Sequence, residues 1–180
     1  MGKWMVAAKR ADFDAIARKY QISPVLARII RNRDVVEDAD INRFLNGTRA
    51  DLYAPKLLKD MDKAVGLLLR KIAEGKHIRI IGDYDIDGIC ATYILYRGLT
   101  ECGAHVDTAI PHRIHDGYGL NEHLIQEAYD AGTDTVLTCD NGIAAYDQIA
   151  YANALGMTVI VTDHHEVPYE EGEDGSRLYQ

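Results

Sequence analysis

Four short apolar segments alternate with helical patterns in the second half of this sequence, and this alternation constrains the fold more than any other feature. The segments are 78–82, 105–110, 135–139 and 158–162. Continuous apolar strands that alternate with helices are typical of a parallel β-sheet with helices on both faces. We therefore predict an α/β fold built on a parallel sheet.

The N-terminal part of the chain carries helical signals and no strand pattern. Ser23 followed by Pro24 reads as an N-cap with proline at the first helical position. Two other helices are expected over 12–20 and 38–46, where apolar residues recur at helical spacing. The sequence thus predicts a short helical region ahead of the sheet.

These patterns divide the chain into two parts. We predict a helical N-terminal region over 1–59 and an α/β domain over 60–180. Residues 166–180 are polar and glycine-rich, whereas a doubly wound sheet would ordinarily place a helix after strand 158–162. The second part is therefore expected to be the N-terminal portion of a larger domain.

Acidic and imidazole side chains follow three of the four predicted strands. The residues concerned are Asp83, Asp85, Asp87, Asp140, Asp163, His164 and His165. Ligands of parallel α/β sheets gather outside the carboxyl ends of the strands, so these side chains are expected to meet in one crevice. Because carboxylates crowded together repel one another, the pattern predicts a divalent cation among them.

Each of these residues also has a plainer reading. A single aspartate after a strand is as readily a helix N-cap, and Asp140 before Asn141-Gly142 would alone favour a turn.

If these residues do bind a metal, their hard oxygen ligands favour Mg²⁺ or Mn²⁺ over zinc. Two adjacent imidazoles at a strand end are expected to point to opposite sides, so that one of His164 and His165 ligates metal while the other faces substrate or a second metal.

A loop between the second and third strands carries Arg113 and, further on, Gly117-Tyr118-Gly119. A guanidinium group is suited to pair with a phosphate, and the two glycines suit a backbone that approaches another group closely. A flexible loop with an exposed arginine explains the same residues equally well.

Charge and cysteine content narrow the functional classes only in part. Residues 1–60 hold 12 Lys and Arg against 8 Asp and Glu, whereas residues 61–180 hold 8 against 20. The acidic half argues mildly against a nucleic-acid partner, although bound cations would offset it. Three cysteines without Cys-x-x-Cys spacing argue for reduced thiols in the cytoplasm. No apolar run approaches the ~20 residues that span a bilayer, so no membrane association is expected.

The combined motifs resemble those of the DHH phosphoesterase superfamily, which is named for the triplet that stands here as Asp163-His164-His165. Within it, 82–88 is similar to the first motif of the RecJ exonucleases, in which Asp83 takes the place of a histidine that opens the motif in other branches. The second motif matches 139–143, and 110–119 matches the stretch between the two. The helical segment 22–33 resembles RecJ N-termini.

This resemblance implies a phosphodiesterase with two Mn²⁺ or Mg²⁺ ions that degrades single-stranded DNA from the 5′ end to mononucleotides, in DNA repair and recombination. It implies a repair helicase or a single-strand-binding protein as further partner candidates. The metal ligands that it implies are Asp83, Asp85, Asp87, Asp140 and His164. Catalytic roles fall to Asp140, His164 and His165, and contacts with the substrate phosphate fall to Arg113 and His165.

Three features of the family bear on the isolated chain. A further motif with another metal-ligating aspartate, a second substrate-binding domain and an oligonucleotide-binding domain are expected beyond residue 180. The chain by itself is therefore expected to cleave single-stranded DNA weakly or not at all.

Two other functions remain open from the sequence. One is a DHH enzyme acting on short oligonucleotides, a nucleoside bisphosphate or a cyclic dinucleotide, which the Asp83-first motif and the helical N-terminal region disfavour. The other is a non-catalytic module of the same fold that binds nucleic acid or a protein partner. Such a module is expected to have lost ligands, and every visible ligand position is filled.

Overall fold

The computed structural model describes residues 3, 5, 9–172 and 176–179. Its chain divides into two compact units, one ending at Leu58 and the other beginning at Lys59. The assignment of the second unit to part of a larger domain stays a prediction. Within the described ranges, no helix is both long enough and apolar enough to cross a membrane.

The first unit is helical, as predicted. Its helices are α1 Phe13–Tyr20, α2 Pro24–Asn32 and α3 Asp38–Asn46, and two single-turn 3-10 helices follow, Arg49–Asp51 and Pro55–Leu57. The hydroxyl oxygen of Ser23 accepts a hydrogen bond from the Leu26 amide at 3.1 Å, which is the predicted N-cap of α2. Small and branched side chains form the buried core, namely Ala17, Ala27, Ile30 and Ile41.

The second unit contains a four-stranded parallel sheet, which confirms the predicted α/β fold. Its elements are α4 Met61–Ala73, β1 His77–Ile81, α5 Ile86–Glu101, β2 His105–Ala109, α6 Glu122–Asp130, β3 Thr135–Cys139, α7 Tyr146–Ala154 and β4 Thr158–Thr162. The strand order is β2-β1-β3-β4, and all three pairings are parallel. The central strands are therefore β1 and β3.

Helices cover both faces of this sheet. On one face, α6 and α7 pack on the strands through a buried cluster that includes Leu124, Ile125, Val136 and Ala152. On the other face, α4 and α5 pack against a second buried cluster, which includes Ile78, Ile80, Leu137 and Ile160. Since β3 contributes to both clusters, its five residues are all buried, as expected for a central strand of a two-sided sheet.

The chain departs from the predicted element boundaries at two places. Helix α5 begins at Ile86 instead of near Ile89, because the Asp85 carboxylate caps it by accepting hydrogen bonds from the Asp87 and Gly88 amides. The 166–180 segment, for which no element was predicted, contains the antiparallel pair β5 Tyr169–Glu171 and β6 Arg177–Tyr179. The rings of Tyr169 and Tyr179 lie 5.8 Å apart across this pair.

Candidate metal centre

The candidate site lies where β1, β3 and β4 end side by side. In the sheet order β2-β1-β3-β4, the chain leaves β1 towards one edge and later leaves β3 towards the other. Ligands of open α/β sheets bind where the strand order reverses in this way, outside the carboxyl ends of the strands. The residues that follow β1, β3 and β4 are therefore brought to one crevice, as predicted from the sequence.

Asp140 and His164 form one close pair in this crevice. The His164 Nε2 atom lies 2.7 Å from Asp140 Oδ1 and 3.7 Å from Asp87 Oδ2. One ligand atom from each of Asp140, His164 and His165 lies within 4.8 Å of the other two. A carboxylate oxygen and imidazole nitrogens at this spacing can bind a single cation together.

The backbone of Asp140 adopts a left-handed conformation, with φ of 61°. Its amide donates a hydrogen bond to the Thr162 carbonyl of β4 at 3.1 Å, and its side chain is almost fully buried. Aspartate and asparagine tolerate this conformation better than most residues. The chain thus turns sharply after β3 and directs the carboxylate of Asp140 towards His164.

Asp83 is completely buried directly after β1. Among the residues that the structure describes, neither of its carboxylate oxygens has a hydrogen-bond partner. A buried carboxylate without a partner is strongly unfavourable, and a bound cation would remove that penalty. This is the observation that fits a metal ion most directly.

Asp85 and Asp87 are exposed, so the three alternating aspartates occupy different environments. The hydrogen bond from the Gly88 amide lowers the pKa of the Asp85 carboxyl, and the Asp87 amide, Asp140 and Arg113 act in the same direction. Asp85 therefore caps α5. Asp87 lies in the first turn of α5, where it faces His164.

Asp163 fixes the two histidines that follow it. Its Oδ1 atom accepts hydrogen bonds from the His164 amide at 2.7 Å, the His165 amide at 3.1 Å and His165 Nδ1 at 2.7 Å. Its Oδ2 atom accepts from the Ile143 amide at 2.9 Å. Burial raises the pKa of Asp163, but these hydrogen bonds together outweigh burial and lower it. The same contact with Asp163 raises the pKa of His165.

The expectation that the two imidazoles point to opposite sides is wrong. The rings of His164 and His165 lie side by side, with centroids 4.6 Å apart and planes inclined by 33°. Strand alternation does not apply to them because β4 ends at Thr162, and Asp163 then turns the chain. Both rings are consequently available at the same side of the crevice.

Arg113 lies at the rim of this site. Its guanidinium group stacks on the ring of Tyr84, with 4.4 Å between the guanidinium carbon and the ring centroid. Tyr84 directly follows the buried Asp83 and separates it from Asp85. The structure therefore places Arg113 beside the acidic segment 83–87 that follows β1. His165, in contrast, lies beside Asp163 and Tyr118.

Two residues of the site have roles that the sequence reading did not assign. The buried Asn141 side chain donates to the Ile81 carbonyl at 3.1 Å and the Cys139 carbonyl at 3.0 Å, which joins the ends of β1 and β3. The Tyr118 hydroxyl donates to the Asp140 carbonyl at 3.1 Å and lies 3.2 Å from His165 Nε2. Only their places within Asp-Asn-Gly and Gly-Tyr-Gly signalled these roles.

Comparisons with known proteins match the chain to one family. The model for the N-terminal domain of the DHH family matches residues 77–178. The single-stranded-DNA-specific exonuclease RecJ of Bacillus subtilis (strain 168) is 35% identical over 169 residues, which cover 91% of this chain and 21% of that protein. The chain therefore spans about a fifth of the length of this relative.

Two solved structures are similar to the chain in fold. A crystal structure of exonuclease RecJ bound to manganese is 41% identical, with a TM-score of 0.59 over 64% of this chain and 30% of that one. A crystal structure of RecJ from Thermus thermophilus in complex with Mn²⁺ is 29% identical, with a TM-score of 0.56 over 86% of this chain and 21% of that one.

Proposed function

The chain belongs to the DHH family, and on that premise we propose that it carries the metal centre of a phosphodiesterase that degrades single-stranded DNA. The reaction is exonucleolytic, proceeds from the 5′ end and releases mononucleotides. The observation that supports this proposal best is the placement of Asp140, His164 and the buried Asp83, whose carboxylate has no hydrogen-bond partner among the described residues, after the carboxyl ends of three neighbouring strands.

Mn²⁺ or Mg²⁺ ions are the proposed cofactors, and two ions would share the site. The residues that would hold them are Asp83, Asp85, Asp87, Asp140 and His164. When bound, such ions supply a water of lowered pKa and stabilise the charge that develops on the phosphate and on the leaving oxygen.

The surrounding residues orient the substrate in this proposal. Asp140 and His164 have catalytic roles in this proposal, because they would hold the metal beside the phosphate group that reacts. Asp163 accepts a 2.7 Å hydrogen bond from Nδ1 of His165 and so holds this ring, which in this proposal contacts the substrate phosphate. Arg113, held over Tyr84, pairs with a phosphate of the DNA backbone.

The proposed setting is DNA repair and recombination in the cytoplasm. Cys90, Cys102 and Cys139 all lie in the described ranges and are free thiols, which suits a reducing compartment. A repair helicase or a single-strand-binding protein is the kind of partner that would present single-stranded DNA to such an enzyme.

Calorimetric titration with Mn²⁺ tests the metal centre. We expect saturable binding to this chain and its loss in Asp140→Asn, because asparagine keeps the left-handed backbone but removes the anionic oxygen that faces His164. The control is Asp130→Asn, an exposed aspartate on α6 that bonds to Gln126. Equal Mn²⁺ affinity in the wild type and in Asp140→Asn would overturn the proposed centre.

Digestion of end-labelled DNA tests the substrate. We expect weak or no cleavage by this chain, because it spans a minor part of its relatives, and Mn²⁺-dependent release of 5′ mononucleotides by a protein that contains the remaining domains. Preference for dinucleotides over long single strands would instead support the short-oligonucleotide reading. A protein with all of these domains that cleaves no phosphoester in the presence of Mn²⁺ would favour the non-catalytic reading.

A further inference from the structure

Tyr118 contacts two separate motifs of the metal centre. It lies in the loop between β2 and α6, and its hydroxyl donates a hydrogen bond to the backbone carbonyl of Asp140. The same oxygen lies 3.2 Å from Nε2 and 3.4 Å from Nδ1 of His165. One hydroxyl group therefore joins the turn after β3 to the histidine that follows β4.

The loop backbone is built to bring Tyr118 to this place. Gly117 and Gly119 flank it with φ of 77° and 72°, a conformation that favours glycine. A Cβ atom at Gly119 would lie 3.3 Å from the Cβ of Asn141, so a larger residue here would have to displace Asn141 by a few tenths of an ångström. The conformation of both glycines turns Tyr118 towards the centre.

The ring of Tyr118 is also held from two sides. It packs edge-to-face against Tyr84, with ring centroids 6.3 Å apart, and against His165, with centroids 5.9 Å apart. Half of the residue nevertheless remains exposed, so it contributes little to the buried core. Its contacts are concentrated on residues of the centre instead.

We propose that Tyr118 is a positioning residue, which uses its hydroxyl to hold the turn of Asp140 and the ring of His165 in their arrangement around the metal. This inference rests on the proposed function, because it assigns Tyr118 to the same centre. Residues that hydrogen-bond to metal ligands without binding the metal typically change the metal affinity by 10- to 100-fold when they are removed. The hydroxyl is expected to act in this way without ligating the metal itself.

The test compares Tyr118→Phe with wild-type chain and with Tyr129→Phe. Phenylalanine keeps the ring and its packing, and Tyr129 is an exposed tyrosine on α6, away from the centre. The first readout is the set of imidazole ¹⁵N and ¹³C resonances of His165, recorded without metal. The second is the Mn²⁺ dissociation constant from calorimetry.

We expect Tyr118→Phe to shift the His165 resonances, to leave those of His77 and His105 in place, and to raise the Mn²⁺ dissociation constant about tenfold. Tyr129→Phe should change neither readout. An unchanged dissociation constant in Tyr118→Phe would overturn the inference, as would equal effects of the two variants. If wild-type chain takes up no Mn²⁺, the proposed function fails, and the His165 resonances alone then decide whether Tyr118 positions that ring.

Discussion

At the scale of single residues, aspartates of similar sequence context have distinct roles. Asp83 is buried without a hydrogen-bond partner in the described part of the chain, Asp85 caps α5, and Asp163 accepts four hydrogen bonds. Among the aspartates that the structure describes, only Asp140 combines burial with a left-handed backbone. The family triplet therefore begins with an aspartate whose two oxygens are already occupied by protein donors.

Asp163→Asn should lower the free energy of unfolding by about 3 kcal/mol. The NH₂ group of asparagine would replace a carboxylate oxygen that accepts hydrogen bonds, and this donor would then face other N–H donors. The amide would meet either the Ile143 amide or the three donors around Oδ1. Urea denaturation monitored by circular dichroism measures the difference. Asp116→Asn is the matched control, since Asp116 accepts one hydrogen bond from the His112 amide and asparagine can keep it.

A decrease in the free energy of unfolding below about 1 kcal/mol for Asp163→Asn, or a decrease equal to that of the control, would contradict this prediction. It would mean that the turn after β4 accommodates the amide without strain.

At the scale of secondary-structure elements, the first turn of α5 lies directly against the end of β1. A Cβ atom at Gly88 would come within 2.6 Å of both the amide nitrogen and the carbonyl oxygen of Asp83. Because these are backbone atoms, the helix itself would have to move. The close approach of α5 therefore helps to set the position of the buried carboxylate.

Gly88→Ala should destabilise the chain by about 2 kcal/mol through overpacking and should also weaken Mn²⁺ binding. Gly98 lies in the same helix, and a Cβ there would meet no atom within 4 Å in the described part of the chain. Gly98→Ala should therefore stabilise the chain by up to about 1 kcal/mol. Thermal denaturation and calorimetry measure both effects, and similar results for the two variants would refute the packing argument.

The sequence predicted the regular elements well and the contacts between them poorly. The four strands and the convergence of their ends follow from local apolar patterns and from the geometry of parallel sheets. The start of α5 did not follow, because the Asp85 cap outweighs the apolar spacing that pointed to Ile89. The roles of Tyr118 and Asn141 depend on partners in distant parts of the chain, which no local pattern reports.

At the scale of the second unit as a whole, ion pairs join α4 and the strands away from the candidate metal centre, at the amino ends of the strands and across β1 and β2. Lys71 of α4 bonds to the Asp134 carboxylate at 2.5 Å, directly before β3. The Asp134 backbone also bonds to His77 at the start of β1 and to Thr158 at the start of β4. Arg79 and Asp107 pair across β1 and β2, with 2.9 Å between Nε and Oδ1.

These pairs should make the stability of the chain depend on pH. Burial raises the pKa of Asp134, but the hydrogen bonds from Lys71 and Thr135 outweigh burial and lower it. A carboxyl with a lowered folded-state pKa contributes stability above its unfolded value of about 3.9, and this stability is lost as the pH falls through the folded value.

Asp134→Asn should therefore cost about 1 kcal/mol at pH 7 and progressively less below about pH 4, measured by urea denaturation across that range. In a Lys71→Met background the same substitution should have a smaller effect, because the closer of the two lysines that pair with Asp134 is gone and only Lys76 remains. A difference between wild type and Asp134→Asn that persists unchanged at about pH 2.5 would show that the charge of Asp134 is not its cause.

The pairing of β1 with β3 has a consequence for the time at which the metal centre can exist. Ile78 pairs with Thr135, and the sequence between them contains α5, β2 and α6. Such non-local parallel pairings form slowly, because a long loop must close before any contact repays the lost entropy. Asp83 and Asp140 stay apart until these strands pair, so we expect the proposed metal centre to form late in folding. A metal ion bound there favours the native state by mass action and so delays the separation of these two strands.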